Sequence, residues 1–262
     1  MGQSFYEADA DARAVFDEAS ELLGYDMKAL CFEENEKLNL TQYTQPAMVT
    51  TGIAIMKVVE KQGLLPDTAA GLSLGEYEAL YAAGALSVTD AIRVVARRGE
   101  LMEAAVPAGV GAMAAVLGAE ASLIEETLSE IPEVWIANYN CPGQIVISGK
   151  KEAVEAAAEA LKARGIKRVL MLNVSGPFHS GLLREAGEEL GKVLAETEIH
   201  PLRIPYYANV TGGIVEDAAK VRGLLTEQVY SSVRFEQSIR NMLSAGVDTF
   251  YELGPGKTLA GF

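Results

Sequence analysis

The sequence predicts an α/β protein built in two parts, and three observations predict it. An apolar stretch leads through Ala69 and Ala70 into Gly71-Leu72-Ser73-Leu74-Gly75 and on into an amphipathic helix, the strand–turn–helix setting of a G-x-S-x-G elbow. Residues 110–174 read in the order βαββαβ, the ferredoxin-like arrangement. Around them, residues 1–109 and 175–262 alternate helical periodicity with short apolar runs, which makes the larger part discontinuous.

Bulk properties exclude several classes. The 262 residues are 49% apolar and 22% charged, an ordinary globular balance. No stretch approaches the roughly 18 uninterrupted apolar residues of a transmembrane helix. The N-terminus has neither the basic start nor the apolar run of a signal peptide. A net charge of −14 gives no positive footprint for nucleic acid. The one basic cluster, Lys162 to Arg168, reads as a helix C-terminus with cations set favourably against the dipole. A docking role for an acidic partner or a phosphorylated cofactor is compatible with that placement. Cys31 and Cys141 lack metal-type spacing and read as free thiols in a reducing cytoplasm.

The elements follow in order. Residues 8–23 carry a helical stripe of Ala12, Val15, Phe16, Ala19, Leu22 and Leu23, closed by Gly24. A short helix covers Met27 to Phe32. Thr44 is expected to cap the next helix, with Pro46 in its first turn and its end near Lys61. Leu64 to Gly71 holds the strand that feeds the elbow. Gly71 and Gly75 are both expected to be glycine for steric reasons, since a side chain would collide across so tight a turn. The elbow helix runs to about Ala83. Ser87-Val88-Thr89-Asp90 starts another helix with capping-type residues.

Arg98 stands out on that helix. Arg97 groups with Arg93 and Glu100 on a solvated face, whereas Arg98 lies among Val94, Val95, Leu101 and Met102. A guanidinium there snorkels, joins an internal ion pair or awaits an anion. Ala112–Leu117 is a strand, Ala121–Ile131 a helix, and Val134–Asn138 with Gln144–Ser148 a hairpin about Asn140-Cys141-Pro142-Gly143. Lys151–Arg164 is a helix and Ile166–Val174 a strand. A Gly/Pro loop around His179 follows, then a helix over 182–196, a strand over 203–208, helices over 221–228 and 235–245, and a last strand over Thr249–Glu252.

A serine needs a general base, and the chain has two histidines. His200, before Pro201, reads as structural or surface. His179 sits in a loop, the kind of place that carries working residues. No acidic third member can be named from the sequence, and a backbone carbonyl can hold the imidazole tautomer instead.

With these residues in hand, the chain resembles the malonyl-CoA:acyl carrier protein transacylase family. Gly71-Leu72-Ser73-Leu74-Gly75-Glu76-Tyr77 resembles its GHSLGEY signature, with Leu72 in place of the histidine. Thr41 to Ala47, Arg98 to Pro107, Gly111 to Ala115, Asn138 to Gln144, Gly176 to Ser180 and Tyr251 to Lys257 resemble further family segments, in family order. The resemblance implies that Ser73 carries the acyl group, that His179 is its base and later the acid, and that Arg98 binds the malonyl carboxylate. It implies an oxyanion amide at Leu74, a glutamine near the site at Gln45, and a malonyl-selecting residue at Phe178. Met102 joins the substrate-binding set. The resemblance further implies a histidine held by main-chain carbonyls, one of them from Ser232-Val233-Arg234-Phe235, a main-chain contact that would tolerate Arg234 where some relatives have glutamine.

Taken together, an α/β-hydrolase-like parallel-sheet core, residues 1–109 and 175–262, carries an inserted ferredoxin-like subdomain, residues 110–174. The implied activity is ping-pong transfer of malonyl from coenzyme A to the phosphopantetheine thiol of acyl carrier protein, in fatty-acid synthesis. No metal or cofactor, no nucleic acid and no membrane is implied, and the chain is expected to be a cytoplasmic monomer. The alternatives are a serine esterase or thioesterase, and a fragment that binds carrier protein or coenzyme A without turnover. The family begins with a strand and a Pro-Gly-Gln-Gly-x-Gln loop that supplies a second oxyanion amide, and it continues past the position of Phe262. On that basis the chain is expected to be a weakly active or inactive, aggregation-prone fragment.

Overall fold

The computed structural model describes residues 1–107, 109–174 and 176–262. The boundary expected at residue 175 falls outside the described residues. Helix α2 (Ala10–Leu23) is the one expected over residues 8–23, and a short helix that was not expected, α1 (Gln3–Ala8), precedes it. The break comes at Asp9, whose extended backbone lets its carboxylate accept the N–H groups of Asp11 and Ala12 and cap α2. Helix α3 (Met27–Phe32) follows, and the stripe of α2 is buried at Ala12, Val15, Phe16 and Ala19.

Helix α4 (Thr41–Lys61) starts earlier than its sequence suggests. Leu40 is the N-cap, while the Thr44 hydroxyl bonds back to the carbonyls of Leu38 and Leu40. Pro46 therefore lies inside the helix, where its missing N–H removes one helical hydrogen bond. Strand β1 (Ala69–Ala70) feeds the elbow, and helices α5 (Gly75–Ala82) and α6 (Val88–Ala105) follow. Ser87 caps α6 by accepting from Asp90 N.

Two contacts key α6 to the start of α4. A Cβ on Gly99 would stand 2.8 Å from the Thr41 carbonyl oxygen and 2.9 Å from Gln42 Cα, so only glycine admits this approach. The Glu103 carboxylate accepts the Gln42 N–H at 3.0 Å, taking one of the orphan donors at the α4 N-terminus. Together they set Gln45 on α4 against Arg98 on α6.

Next come β2 (Gly111–Leu117), α7 (Ala121–Ser129), β3 (Val134–Cys141), β4 (Gln144–Lys150), α8 (Lys151–Ala163) and β5 (Arg168–Met171). The hairpin turn tightens to Pro142-Gly143, with Gly143 at φ 74°. The chain closes with α9 (Arg184–Glu196), β6 (Tyr206–Tyr207), β7 (Ile214–Val215), α10 (Val221–Gln228), β8 (Val233–Arg234) and α11 (Phe235–Ser244).

One sheet has the order β5-β2-β4-β3-β8, antiparallel except for the parallel β3–β8 pair. The other, β1-β6-β7, is a parallel pair extended by one antiparallel strand. The expected parallel-sheet core thus narrows to two-residue strands, and the strand expected over 166–174 shortens to Arg168–Met171. The strand expected over Thr249–Glu252 does not form, because no described strand lies alongside to share a ladder with it.

Two main hydrophobic clusters accompany the sheets. One gathers α2, α4, α5, α6 and α9 around Phe16, Ile53, Leu80, Ile92 and Leu190. The other packs α7 and α8 on the β2–β4 face through Val116, Ile124, Ile147 and Leu161. Phe178 touches the first of these and a small third cluster of Met113, Ala137 and Val146. Among the described residues no helix is long and apolar enough to cross a membrane.

The α4–α6 contact yields a stability prediction. Gly99→Ala should lower unfolding free energy by about 1–3 kcal/mol, because backbone cannot yield as a side chain can. The midpoint shift in urea unfolding checks this, and an unchanged midpoint would contradict the close approach.

Candidate active site

Ser73 sits between β1 and α5 with φ at 52°, a left-handed conformation that L-residues avoid. Gly71 makes the turn possible. A Cβ there would stand 1.9 Å from the Gly75 carbonyl oxygen. At Gly75 the steric expectation fails, since a Cβ would meet no atom within 4 Å. The elbow folds Gly71 back onto Gly75, so only the first glycine is crowded.

Asn209 locks the turn. Its Oδ1 accepts the Ser73 N–H at 2.6 Å, and its Nδ2 donates to the Gly71 carbonyl at 2.6 Å. The N–H groups of Gly75, Glu76 and Tyr77 go to the carbonyls of Leu72, Ser73 and Leu74. Among the described residues no acceptor takes the Leu74 N–H, which leaves it free at the helix start to face negative charge.

His179 also has a left-handed backbone, φ 57°, and is buried. Its Nε2 lies 2.6 Å from Ser73 Oγ, and its Nδ1 lies 2.8 Å from the Gln228 carbonyl. A carbonyl only accepts, so in the neutral ring Nδ1 carries the proton and Nε2 is left to accept from the serine. The holding carbonyls are those of Gln228, at the end of α10, and Ser231, one residue before the expected segment Ser232 to Phe235. Burial, then the positive charge of Arg98, pulls the imidazole down to about 4 against the opposing pull of the Gln228 carbonyl. The ring is therefore a neutral base at physiological pH.

Arg98 is only 2% exposed, so it does not snorkel, and among the described residues it makes no ion pair. Nη1 donates to Gln45 Oε1 at 2.8 Å, and Nη2 donates to Gln228 Oε1 at 3.1 Å. Nη2 also lies 3.4 Å from Ser73 Oγ, and the guanidinium carbon is 5.7 Å from the Tyr77 ring centroid. Nε has no partner among the described residues. Gln45 is steadied in turn by its Nε2 contact with Met102 Sδ at 3.5 Å. Met102 thus supports Gln45. Phe178, next to His179, is half-buried against Met113, Ala137 and Val146.

Three buried residues of the site were not assigned a role from the sequence. Gln228 bridges everything: its carbonyl holds His179, its Oε1 holds Arg98, and its Nε2 donates to the Ser73 carbonyl and to Glu76 Oε2, each at 2.8 Å. Asn209 holds the elbow and gives its own N–H to Glu76 Oε2 at 3.2 Å. Burial raises Glu76 to about 7, while Gln228, Asn209 and Arg98 pull it back. A usable signal existed for two of them. Gln228 follows Val221 and Leu225 on the apolar stripe of α10, and Glu76 shares its face with Ala79 and Leu80. His200, by contrast, is half-buried at the surface beside Glu198, away from the site.

A serine hydroxyl on a neutral imidazole, beside an uncommitted backbone amide and a buried cation, can attack a carbonyl and hold the resulting oxyanion. The comparisons agree. Residues 1–260 match the acyl transferase domain family. The malonyl CoA-acyl carrier protein transacylase of Bacillus subtilis is 47% identical over 266 residues, covering 100% of this chain and 84% of the relative. The chain belongs to that transacylase family. A family structure, MCAT from Streptococcus pneumoniae, matches with a TM-score of 0.96 at 45% identity, covering 100% of this chain and 86% of its own. Another is a malonyl-transacylase in complex with its type II PKS acyl-carrier protein, with a TM-score of 0.94 at 40% identity and coverage of 98% and 84%.

Two outcomes follow from the geometry. Asn209→Ala should cut kcat/KM for thioester turnover by about 100-fold through a loosened elbow. The fold should survive, as circular dichroism would report, and full activity would exclude the clamp. For His179, the acid limb of kcat/KM should fall near pH 4, well below the ordinary 6.5 of histidine. A limb near 6.5 in a pH–rate profile would show that the buried ring is not the base.

Proposed function

We propose that this chain transfers malonyl from coenzyme A to the phosphopantetheine thiol of acyl carrier protein, in fatty-acid biosynthesis. One observation carries the reading. A buried arginine with only neutral partners stands 3.4 Å from a serine hydroxyl that is itself 2.6 Å from a neutral imidazole. A thioester attacked at that serine would lay a carboxylate two carbons away against that arginine, where a guanidinium offers two parallel donors.

Ser73 Oγ attacks the thioester carbonyl as its proton passes to His179 Nε2. The Leu74 N–H faces the oxyanion. The coenzyme thiolate then leaves and takes the proton from His179, and malonyl remains as an ester on Ser73. In the second half the carrier thiol gives its proton to His179 and attacks that ester, and Ser73 is restored. Arg98 holds the malonyl carboxylate in both halves. Gln45 and Gln228 orient Arg98, Met102 backs Gln45, and Phe178 narrows the space beside the acyl group. The chemistry calls on serine and imidazole, with no cofactor beyond the two thiol-bearing substrates. We place the reaction in the cytoplasm, with the protein acting as a monomer.

The architecture reads as an α/β-hydrolase-like unit, residues 1–109 and 175–262, with a ferredoxin-like unit, residues 110–174, inserted. Separate hydrophobic clusters support the division, and the order β5-β2-β4-β3 supports the second name.

Incubation with malonyl-CoA labelled in the acyl group should leave label on the Ser73 peptide, which holo-acyl carrier protein then removes. Loss of the label to water alone would mark a thioesterase. Arg98→Ala should lower kcat/KM for malonyl by about 100-fold or more and leave acetyl transfer little changed. Unaltered preference for malonyl over acetyl would sink the assignment of Arg98.

A further inference from the structure

Arg98 is a buried cation, and every described partner it has is neutral. A buried charge without compensation is costly. The carboxylate whose field reaches it is Glu76, itself only 1% exposed. Gln228 stands between the two, with Oε1 on Arg98 at 3.1 Å and Nε2 on Glu76 Oε2 at 2.8 Å. The same carboxylate oxygen takes the Asn209 N–H. The pair is thus joined through one amide, and Arg98 Nε has no partner among the described residues.

We propose that Glu76 is the resident counter-charge of Arg98 in the empty site, and that an incoming acyl carboxylate takes over this role while Glu76 binds a proton from solvent. This rests on the reading of Arg98 as the acyl-carboxylate site. Charge balance carries it. The empty site holds one guanidinium and one carboxylate. A second carboxylate beside these buried side chains would leave a net negative charge, and one proton restores neutrality. The acyl carboxylate touches Arg98 directly, so the proton goes to the carboxylate that reaches it only through an amide.

The groups facing Glu76 allow no other acceptor. On α6 there is Arg98, and beside Glu76 on α5 there is Tyr77. On β6 there is the Tyr206 hydroxyl, and at the end of α10 the Gln228 amide. Tyr77 and Tyr206 are held protonated by burial. His179 meets the cluster through the Gln228 carbonyl and is kept neutral. Burial sets Glu76 itself to titrate at about 7, so both of its forms are accessible near neutral pH.

Calorimetry of malonyl-CoA binding to Ser73→Ala near pH 7, in two buffers of different ionisation enthalpy, reads the proton directly. The expected result is net proton uptake that grows as the pH is raised and fades as it is lowered, because Glu76 is then already protonated. Acetyl-CoA, which lacks the carboxylate, should give only the baseline of the coenzyme phosphates. Adding Glu76→Gln should abolish the uptake and keep malonyl binding, because glutamine can accept both bonds that Glu76 Oε2 now accepts. Selective malonyl binding without uptake, or with the same uptake in Glu76→Gln, overturns the proposal and leaves the Arg98 reading standing. Binding of malonyl-CoA no tighter than acetyl-CoA takes both down. Should Glu76→Gln not fold, infrared difference spectra of Ser73→Ala must gain a protonated-carboxyl band on malonyl-CoA binding. Its absence also overturns the proposal.

Discussion

The burial of the Arg98 guanidinium sets the terms for everything near it. A cation removed from water is tolerable only where dipoles are aimed at it in advance. Here the carbonyl ends of two amides do this, Gln45 from α4 and Gln228 from α10. Neither amide is loose. Gln45 is fixed because α4 and α6 meet at Gly99 with backbone against backbone. Gln228 is fixed by donating to the Ser73 carbonyl and to Glu76. The scaffold therefore holds an arginine in place before any anion arrives, and an anion that does arrive need not reorganise it.

Nucleophile and base carry a different kind of cost. Ser73 and His179 both sit at positive φ, which side-chain-bearing residues avoid. Such strain persists only where surrounding bonds outweigh it. Asn209 does this for the serine with two short hydrogen bonds across the turn. For the histidine, the ring is held between Gln228 and Ser73. The two strained residues thus brace each other across a single 2.6 Å hydrogen bond.

The parts of the site legible in the sequence were those that broke a local pattern. Ser73 interrupted a glycine pair, Arg98 interrupted an apolar stripe, and His179 stood in a loop with few rivals. Asn209 was hidden because Ala208-Asn209-Val210-Thr211-Gly212-Gly213 looks like any strand leaving for a turn. Its partners, Gly71 and Ser73, lie more than a hundred residues away, and no local period encodes such a distance. The longer helices were legible because each buries a stripe, whereas α1 buries no residue and was missed. The strands were less so, since a strand exists only where another chain segment completes its ladder. Thr249–Glu252 has the composition of a strand and no described partner. The misplaced cap at Thr44 has the same root: its hydroxyl found carbonyls of the preceding turn instead of N–H groups of the following one.

The double duty of Gln228 bears on how such a site could change its diet. Replacing Arg98 with an apolar residue, to admit an uncharged acyl group, would strand the carbonyl ends of Gln45 and Gln228 against hydrocarbon. Gln45 could be exchanged alongside it. Gln228 could not be exchanged so freely, because its side chain also ties down the serine's own carbonyl. A lineage that abandons carboxylated acyl groups can therefore lose Arg98 and Gln45 but keeps Gln228, whose stranded carbonyl end would remain as a trace of the older preference.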